Sequence, residues 1–228
     1  VADDATYLYS ATSQGVFRSS DAGVTWVARS IGMIEMRTSG IVKAGTRLYV
    51  VGPSGVFRSD NQGDSWAAAG LAGVDVRSIA ALGDVVFVGT NGSGVMKSVD
   101  GGTTWVPSNT GLTATTFRAI EAKGTSLFLG GEIGTGVFRS TDGGATWSQL
   151  AGGLPSSTYR GFASNAQFIV AGAFGLGVFY SKTNGDTWAE LNTGLGDKTI
   201  FELVISNGFL VAATNTGGAF RIPLSALK

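Results

Sequence analysis

Short apolar runs along this chain alternate with glycine-rich polar breaks, and the pattern returns at a nearly fixed interval. Residues 76–82 (VRSIAAL) and 117–122 (FRAIEA) alternate apolar and polar positions, which predicts strands with one face more buried than the other. The runs at 48–52 (LYVVG), 86–90 (VFVGT), 127–131 (LFLGG) and 168–172 (FIVAG) are almost continuously apolar and rich in β-branched and aromatic residues, as expected of strands covered on both faces. With 36 glycines against 4 prolines marking the breaks, tight turns join these strands, and long helices have little support.

The interval is set by tryptophan. Trp26, Trp66, Trp105, Trp147 and Trp188 are spaced 40, 39, 42 and 41 residues apart. The third unit shows the internal order: 76–83 (VRSIAALG), 84–91 (DVVFVGTN), 94–100 (GVMKSVD) and 101–109 (GGTTWVPSN) read as four strands separated by turns. A four-stranded unit of about 40 to 45 residues is the mark of a β-propeller blade, whose sheet stacks on its neighbours to bury both faces. The predicted fold is therefore an all-β propeller of four-stranded antiparallel blades, a single domain over residues 1–228. Six blades are expected: five units ending in a tryptophan box and a sixth, from Ile200, without one. The first is expected to lack its innermost strand and the last its outermost, unless residues 225–228 (SALK) supply part of it. A closed ring predicts a monomer; an incomplete one predicts closure by a partner chain.

Each tryptophan closes a recurrent box, S-x-D-x-G-x-T-W. Its members are Ser19, Asp21, Gly23, Thr25 and Trp26, then Ser59, Asn61, Gly63, Ser65 and Trp66, then Ser98, Asp100, Gly102, Thr104 and Trp105. The fourth box holds Ser140, Asp142, Gly144, Thr146 and Trp147, and the fifth Ser181, Gly185, Thr187 and Trp188, with Thr183 in the aspartate slot. A carboxylate or amide accepts backbone N–H bonds across a tight turn, glycine supplies angles closed to other residues, and hydroxyls satisfy further main-chain groups. The box is thus read as a structural clasp, with its tryptophan buried against its own sheet or the next blade.

These boxes resemble the Asp-box, or BNR, repeat of sialidases and of many non-enzymatic propellers, and the resemblance spans essentially the whole chain. It implies that the boxes lie between third and fourth strands, on the face away from any catalytic centre, and it favours a secreted, periplasmic or cell-surface location. A sialidase-like activity would further imply three arginines gripping a substrate carboxylate, a tyrosine nucleophile activated by glutamate, and an aspartate acid–base. Phe220-Arg221-Ile222-Pro223 matches the motif that carries a sialidase's first arginine. The same slot holds Arg18, Arg58, Lys97, Arg139 and Tyr180 in the other units, so repetition alone explains Arg221.

A second arginine column opens the first strands of three successive units: Arg77, Arg118 and Arg160. In a propeller this places them on the face opposite the boxes, near the centre, where guanidiniums can hold a carboxylate, a sulfate or an acidic side chain. The competing reading pairs each with an acid or backbone carbonyl of a neighbouring blade, repeating because the blade repeats. Tyr159 and Glu202, on the same set of strands, complete the candidate ligand site, with Glu121 also on an inner strand. No tyrosine–glutamate pair is marked by spacing, and no catalytic residue is assigned.

Composition narrows the rest. Sixteen basic and sixteen acidic residues cancel, so no nucleic-acid partner is predicted. Without cysteine or histidine the chain lacks thiols, disulfides and the commonest metal ligand, and its box loops lack the acidic density of a calcium loop, so neither metal nor cofactor is predicted. No apolar run approaches the roughly eighteen residues of a membrane span, and the first ten residues carry no basic region followed by an apolar core, as expected of a soluble, processed chain. The expected function is a non-enzymatic scaffold or binding module that presents the face opposite the boxes to a protein, peptide or glycan. The alternatives are a sialidase-like glycoside hydrolase and a repeat module of a larger surface or assembly protein.

Overall fold

The structure, a computed structural model, describes residues 2–3, 6–132 and 134–227. The fold is an all-β propeller of six antiparallel blades, each a meander in which sequential strands are hydrogen-bonded neighbours. Contacts group the blades into two compact units, Val1–Ser108 and Asn109–Lys228.

The first unit holds three four-stranded blades: β1 (Ala2–Asp3), β2 (Leu8–Thr12), β3 (Gly15–Ser19) and β4 (Val27–Ala28); β5 (Gly40–Ala44), β6 (Arg47–Gly52), β7 (Gly55–Ser59) and β8 (Ala67–Ala68); β9 (Val76–Leu82), β10 (Val85–Thr90), β11 (Val95–Ser98) and β12 (Val106–Pro107). The expectation that the first blade lacks its innermost strand is corrected here. Ala2 and Asp3 pair with Tyr9 and Leu8, a strand too short to leave a periodic signal.

The second unit holds β13 (Phe117–Lys123), β14 (Ser126–Gly131), β15 (Val137–Ser140) and β16 (Ser148–Gln149); β17 (Tyr159–Ser164), β18 (Ile169–Ala173), β19 (Gly177–Ser181) and β20 (Ala189–Glu190); and the three-stranded β21 (Ile200–Ser206), β22 (Phe209–Thr214) and β23 (Ala219–Pro223). The last blade lacks a fourth strand among the described residues, and Leu224–Ala226 form a 3-10 turn rather than a strand; Lys228 lies outside the described residues.

Within each unit the first strands of consecutive blades pack against one another, β5 against β9, β13 against β17 and β17 against β21. Gly161 permits the last of these: a Cβ there would lie 3.0 Å from the Glu202 Cα. The core lies between blades. In the second unit Phe128, Tyr159, Phe162, Ile169 and Trp188 form one cluster, and Val170, Val178, Ile200, Leu203 and Leu210 form the next. Tyr9, Leu48, Val50 and Trp66 do the same in the first unit. Each large side chain so buried contributes about 1.5–3 kcal/mol.

The box loops are clasps in all five blades. In the fourth, the Ser140 hydroxyl donates to Asp142 Oδ1 (2.8 Å) and accepts from the Gly144 amide (2.9 Å), while Asp142 accepts from the Thr146 amide (2.9 Å) and hydroxyl (2.6 Å). Asn61 and Thr183 reproduce the geometry with neutral acceptors, taking the Ser65 amide at 3.0 Å and the Thr187 amide at 2.9 Å. The turn requires consecutive residues in the left-handed region, such as Gly143 (φ 67°) and Gly144 (φ 78°). The Thr hydroxyl first, then its amide and the box serine hold Asp142 at about 2, well below the usual carboxylate range.

The tryptophans tie blade to blade. The Trp66 indole donates to the Arg29 carbonyl (2.8 Å) and the Trp105 indole to the Ala69 carbonyl (2.7 Å), each on the preceding blade's outer edge. Gly111 accommodates the Trp147 backbone so closely that a Cβ would lie 2.1 Å from its carbonyl oxygen. The Trp26 and Trp188 indoles instead bond carbonyls of their own boxes, Gly23 (3.0 Å) and Gly185 (2.9 Å), and Trp26 stays 40% exposed. The arginines of the third strands complete the tie. Arg18 donates to the Gln62 carbonyl and Arg58 to the Gly101 carbonyl, both in the next box, at 2.8 Å. Arg139 likewise reaches the Asn184 carbonyl.

Candidate functional site

Register decides which side chains leave the blade at the end opposite the boxes. In the fourth blade Phe117 pairs with Gly131, yet Ala119 already pairs with Gly130, so Arg118 is an extra residue in a β-bulge. The same irregularity isolates Arg160 between Tyr159 and Gly161, Phe201 between Ile200 and Glu202, and Arg77 between Val76 and Ser78. A bulge leaves one residue unpaired and re-aims its side chain. The preceding residues Val76, Phe117, Tyr159 and Ile200 anchor the four bulges by complete burial. The box follows the far end of the third strand, since Leu127 near the start of β14 pairs with Ser140. Arginine column and boxes therefore occupy opposite ends of the blade.

The three arginines have different fates. Arg77, in the first unit, bonds Asp75, whose carboxylate also accepts from Asn91 Nδ2 (3.1 Å). In the second unit Arg118 directs Nε (2.7 Å) and Nη2 onto the same oxygen of Glu132. These acids belong to the arginines' own blades, not to neighbouring ones. Arg160 makes no hydrogen bond or ion pair among the described residues. Its guanidinium carbon lies 4.4 Å from the Phe174 ring centroid and 5.1 Å from that of Phe201. The two rings meet edge to face at 6.1 Å and remain 39% and 37% exposed. Arg160 Nε is sealed from solvent without a partner. Burial first, then repulsion from Arg118, lowers the proton affinity of the guanidinium, although it stays charged across the physiological range.

Tyr159 is corrected from a candidate ligand contact to a core residue. It is completely buried, its hydroxyl donates to the Pro155 carbonyl at 2.6 Å, and burial pushes its phenol up well beyond its ordinary value. Glu202 lies beside Phe201 with an exposed surface, but protein atoms crowd its carboxylate, raising its pKa, and it accepts from the Leu203 amide (3.2 Å). Deeper along the inner strands, Glu121 accepts from the Ser164 hydroxyl at 2.7 Å. Burial, assisted by the Glu202 charge, raises it to about 7. Arg221, on β23, packs over the Phe209 ring at 4.2 Å.

Sequence reasoning missed Glu132, Phe174 and Phe201. Phe201 was legible, since it fills in the sixth unit the slot of Arg118 and Arg160. Phe174 sits in residues 172–177 (GAFGLG), which read only as a glycine-rich turn. That turn also carries Leu176, 39% exposed, and Gly175. They border a shallow depression of about 480 Å³ with Leu154, Pro155 and Phe179 and, at its rim, Glu190 and Lys198. Among the described residues no cluster of three potential metal ligands occurs, and no helix is long and apolar enough to cross a membrane.

A family profile described as the DUF6242 beta propeller domain matches residues 34–220. The chain belongs to that family. No curated protein matches the DUF6242 chain in sequence. Among solved structures it is similar to an ancestral GH74 enzyme (TM-score 0.76, 17% identity, 96% of this chain and 35% of that one). It is also similar to the GH74 xyloglucanase of Xanthomonas campestris (TM-score 0.75, 15% identity, 96% of this chain and 42% of that one). A third is PorZ, a surface component of the type-IX secretion system of Porphyromonas gingivalis (TM-score 0.75, 16% identity, 97% of this chain and 38% of that one). At these identities the likeness is one of fold, and the DUF6242 chain spans 35% to 42% of the three solved chains.

Proposed function

We propose that this propeller is a binding module, built on Asp-box repeats, that presents the bulge-bearing end of its fourth, fifth and sixth blades to a ligand. The observation that carries this reading is the grouping of Arg160, Phe174, Phe201 and Leu176 at one end of the second unit. There, an unpaired cation lies against the exposed rings of Phe174 and Phe201, and exposed Leu176, two residues after Phe174, lines a shallow depression. Contiguous exposed apolar surface around a polar centre marks interaction sites, and a fold shared with hydrolases assigns no chemistry by itself. The Asp-box reading is supported by the repeated serine–aspartate–threonine clasp and its placement at the far end of each blade. A hydrolase built on the arginine column has less support, because Tyr159 is sealed in the core and Arg118 is neutralised by Glu132.

Glycan and peptide arrays probed with the wild-type domain, the F174D/L176D variant and the V24D variant test this. Val24 is exposed on the first box loop, at the other end of a blade. Binding should be lost in F174D/L176D and kept in V24D; the reverse pattern would refute the assignment of the face. Turnover of an aryl-glycoside or sialoside panel that disappears in R118A would replace the binding-module reading with the hydrolase.

A further inference from the structure

We propose that Arg160 is the receptor for a carboxylate of a peptide ligand, and that the depression lined by Leu176, two residues along the chain from Phe174, takes an aliphatic side chain of the same peptide. This rests on the binding-module reading and names its ligand class. Arg118 and Arg160 occupy the same bulge position in consecutive blades, yet only Arg118 is hydrogen-bonded to an anion, with two of its N–H groups on one Glu132 oxygen, while Glu132 acts on Arg160 through its field alone. The corresponding partner position in the fifth blade is Phe174, so the fold supplies a second guanidinium without a carboxylate in hydrogen-bonding contact with it. Phe174 and Phe201 cover the guanidinium instead, fixing it while leaving its hydrogen-bonding capacity unspent. Because Nε is sealed, the partial exposure of Arg160 belongs to its other atoms, and the Nη groups are the donors that a ligand reaches.

A planar fork of N–H donors beside apolar rings, in partly water-excluded surroundings, matches the geometry and charge of a carboxylate. With Arg118 already neutralised, a single positive charge is available. That suits a monoanion better than a phosphate dianion. The neighbouring surface decides between peptide and sugar. Leu154, Pro155, Leu176 and Phe179 give the depression an aliphatic and aromatic wall, and its two charged side chains, Glu190 and Lys198, face each other at 3.8 Å. A sugar ring needs several free polar partners around it; a leucine or valine side chain needs this wall. The peptide's carboxylate is either its C-terminus or an acidic side chain, and both present the same group.

The test follows the Arg160 side-chain Nε–Hε resonance of the intact domain by NMR. The probes are an acetylated pentapeptide ending in leucine with a free carboxylate, the same peptide as a C-terminal amide, and an amidated pentapeptide with glutamate beside leucine. Glucuronate is the sugar control. Either carboxylate peptide, or both, should move the resonance saturably, with affinity at least about tenfold above that of the amide and falling as salt rises. Which of the two binds identifies the source of the carboxylate. R160Q should abolish saturable shifts of neighbouring backbone amides. L176D, a second variant that leaves the guanidinium in place, should weaken the leucine peptides and not glucuronate. Equal affinity of amide and carboxylate peptides, no saturable shift with any carboxylate peptide, or tighter binding of glucuronate than of the peptides would overturn the proposal. An array-selected ligand whose affinity ignores R160Q but is lost in F174D/L176D would overturn it while leaving the binding-module reading intact.

Discussion

Glu121→Gln tests the electrostatics of the inner strands. Glu121 lies on β13 and, among the described residues, accepts a hydrogen bond from the Ser164 hydroxyl alone; burial lifts it from the ordinary 4.5 to about 7, with Glu202 adding like-charge repulsion. Its native pKa exceeds its unfolded one, so the folded state holds the proton more tightly. The resulting stability is fully present below about pH 4.5 and is lost as pH rises through about 7. Each pKa unit corresponds to about 1.4 kcal/mol, so ionising Glu121 costs the fold about 3 kcal/mol at pH 9, an upper figure because the residue keeps some exposure to screening water. Glutamine retains a carbonyl acceptor for Ser164 and carries no charge. E121Q should therefore match the wild type near pH 4.5 and exceed it at pH 9 by up to about 3 kcal/mol, roughly 6 to 12 °C in midpoint for a chain of this size. Urea unfolding of both proteins from pH 4.5 to 9 reads the effect of Glu121 together with the relief of its repulsion on Glu202. A difference that is independent of pH, or a variant less stable than the wild type at pH 9, would refute the reasoning.

Three further outcomes follow from the packing. Asp142→Ala should lower the thermal midpoint at pH 7 without changing ligand affinity. Because the clasp holds that carboxylate at about 2, the deficit should shrink as pH falls from 4 toward 2, and a selective loss of binding would contradict the structural role. Trp188→Ala should cost about 3–5 kcal/mol in urea unfolding, since the ring is buried and its indole bonds the Gly185 carbonyl (2.9 Å), whereas Trp26→Ala, at a ring 40% exposed, should cost less than half as much. Gly111→Ala should destabilise several-fold more than Gly124→Ala. Both glycines have positive φ, but a Cβ would strike the Trp147 carbonyl oxygen at the first and meet nothing within 4 Å at the second.

The parts of this protein legible in its sequence are those made by short-range interactions. The box clasps link residues two to four positions apart, so the spacing of serine, aspartate, glycine and threonine encodes them directly, and their tolerance of Asn61 and Thr183 marked the slot as an acceptor rather than a reactive group. The tryptophan interval and the apolar runs fixed the blades in the same way. The innermost strand of the first blade escaped because two residues cannot display a period. At the candidate site the sequence presented three equivalent arginines, and only the tertiary structure separated them. Asp75 stands two residues before Arg77 and is itself a local contact, but whether Arg118 and Arg160 are spent depends on what stands at positions 132, 174 and 201, brought alongside by strand pairing and by the packing of neighbouring blades. Tyr159 was misplaced for a related reason: the bulge turns Arg160 outward and its neighbour into the core. Local hydrogen bonding is written in adjacent letters, but charge pairing across strands depends on proximity that the folded chain alone creates.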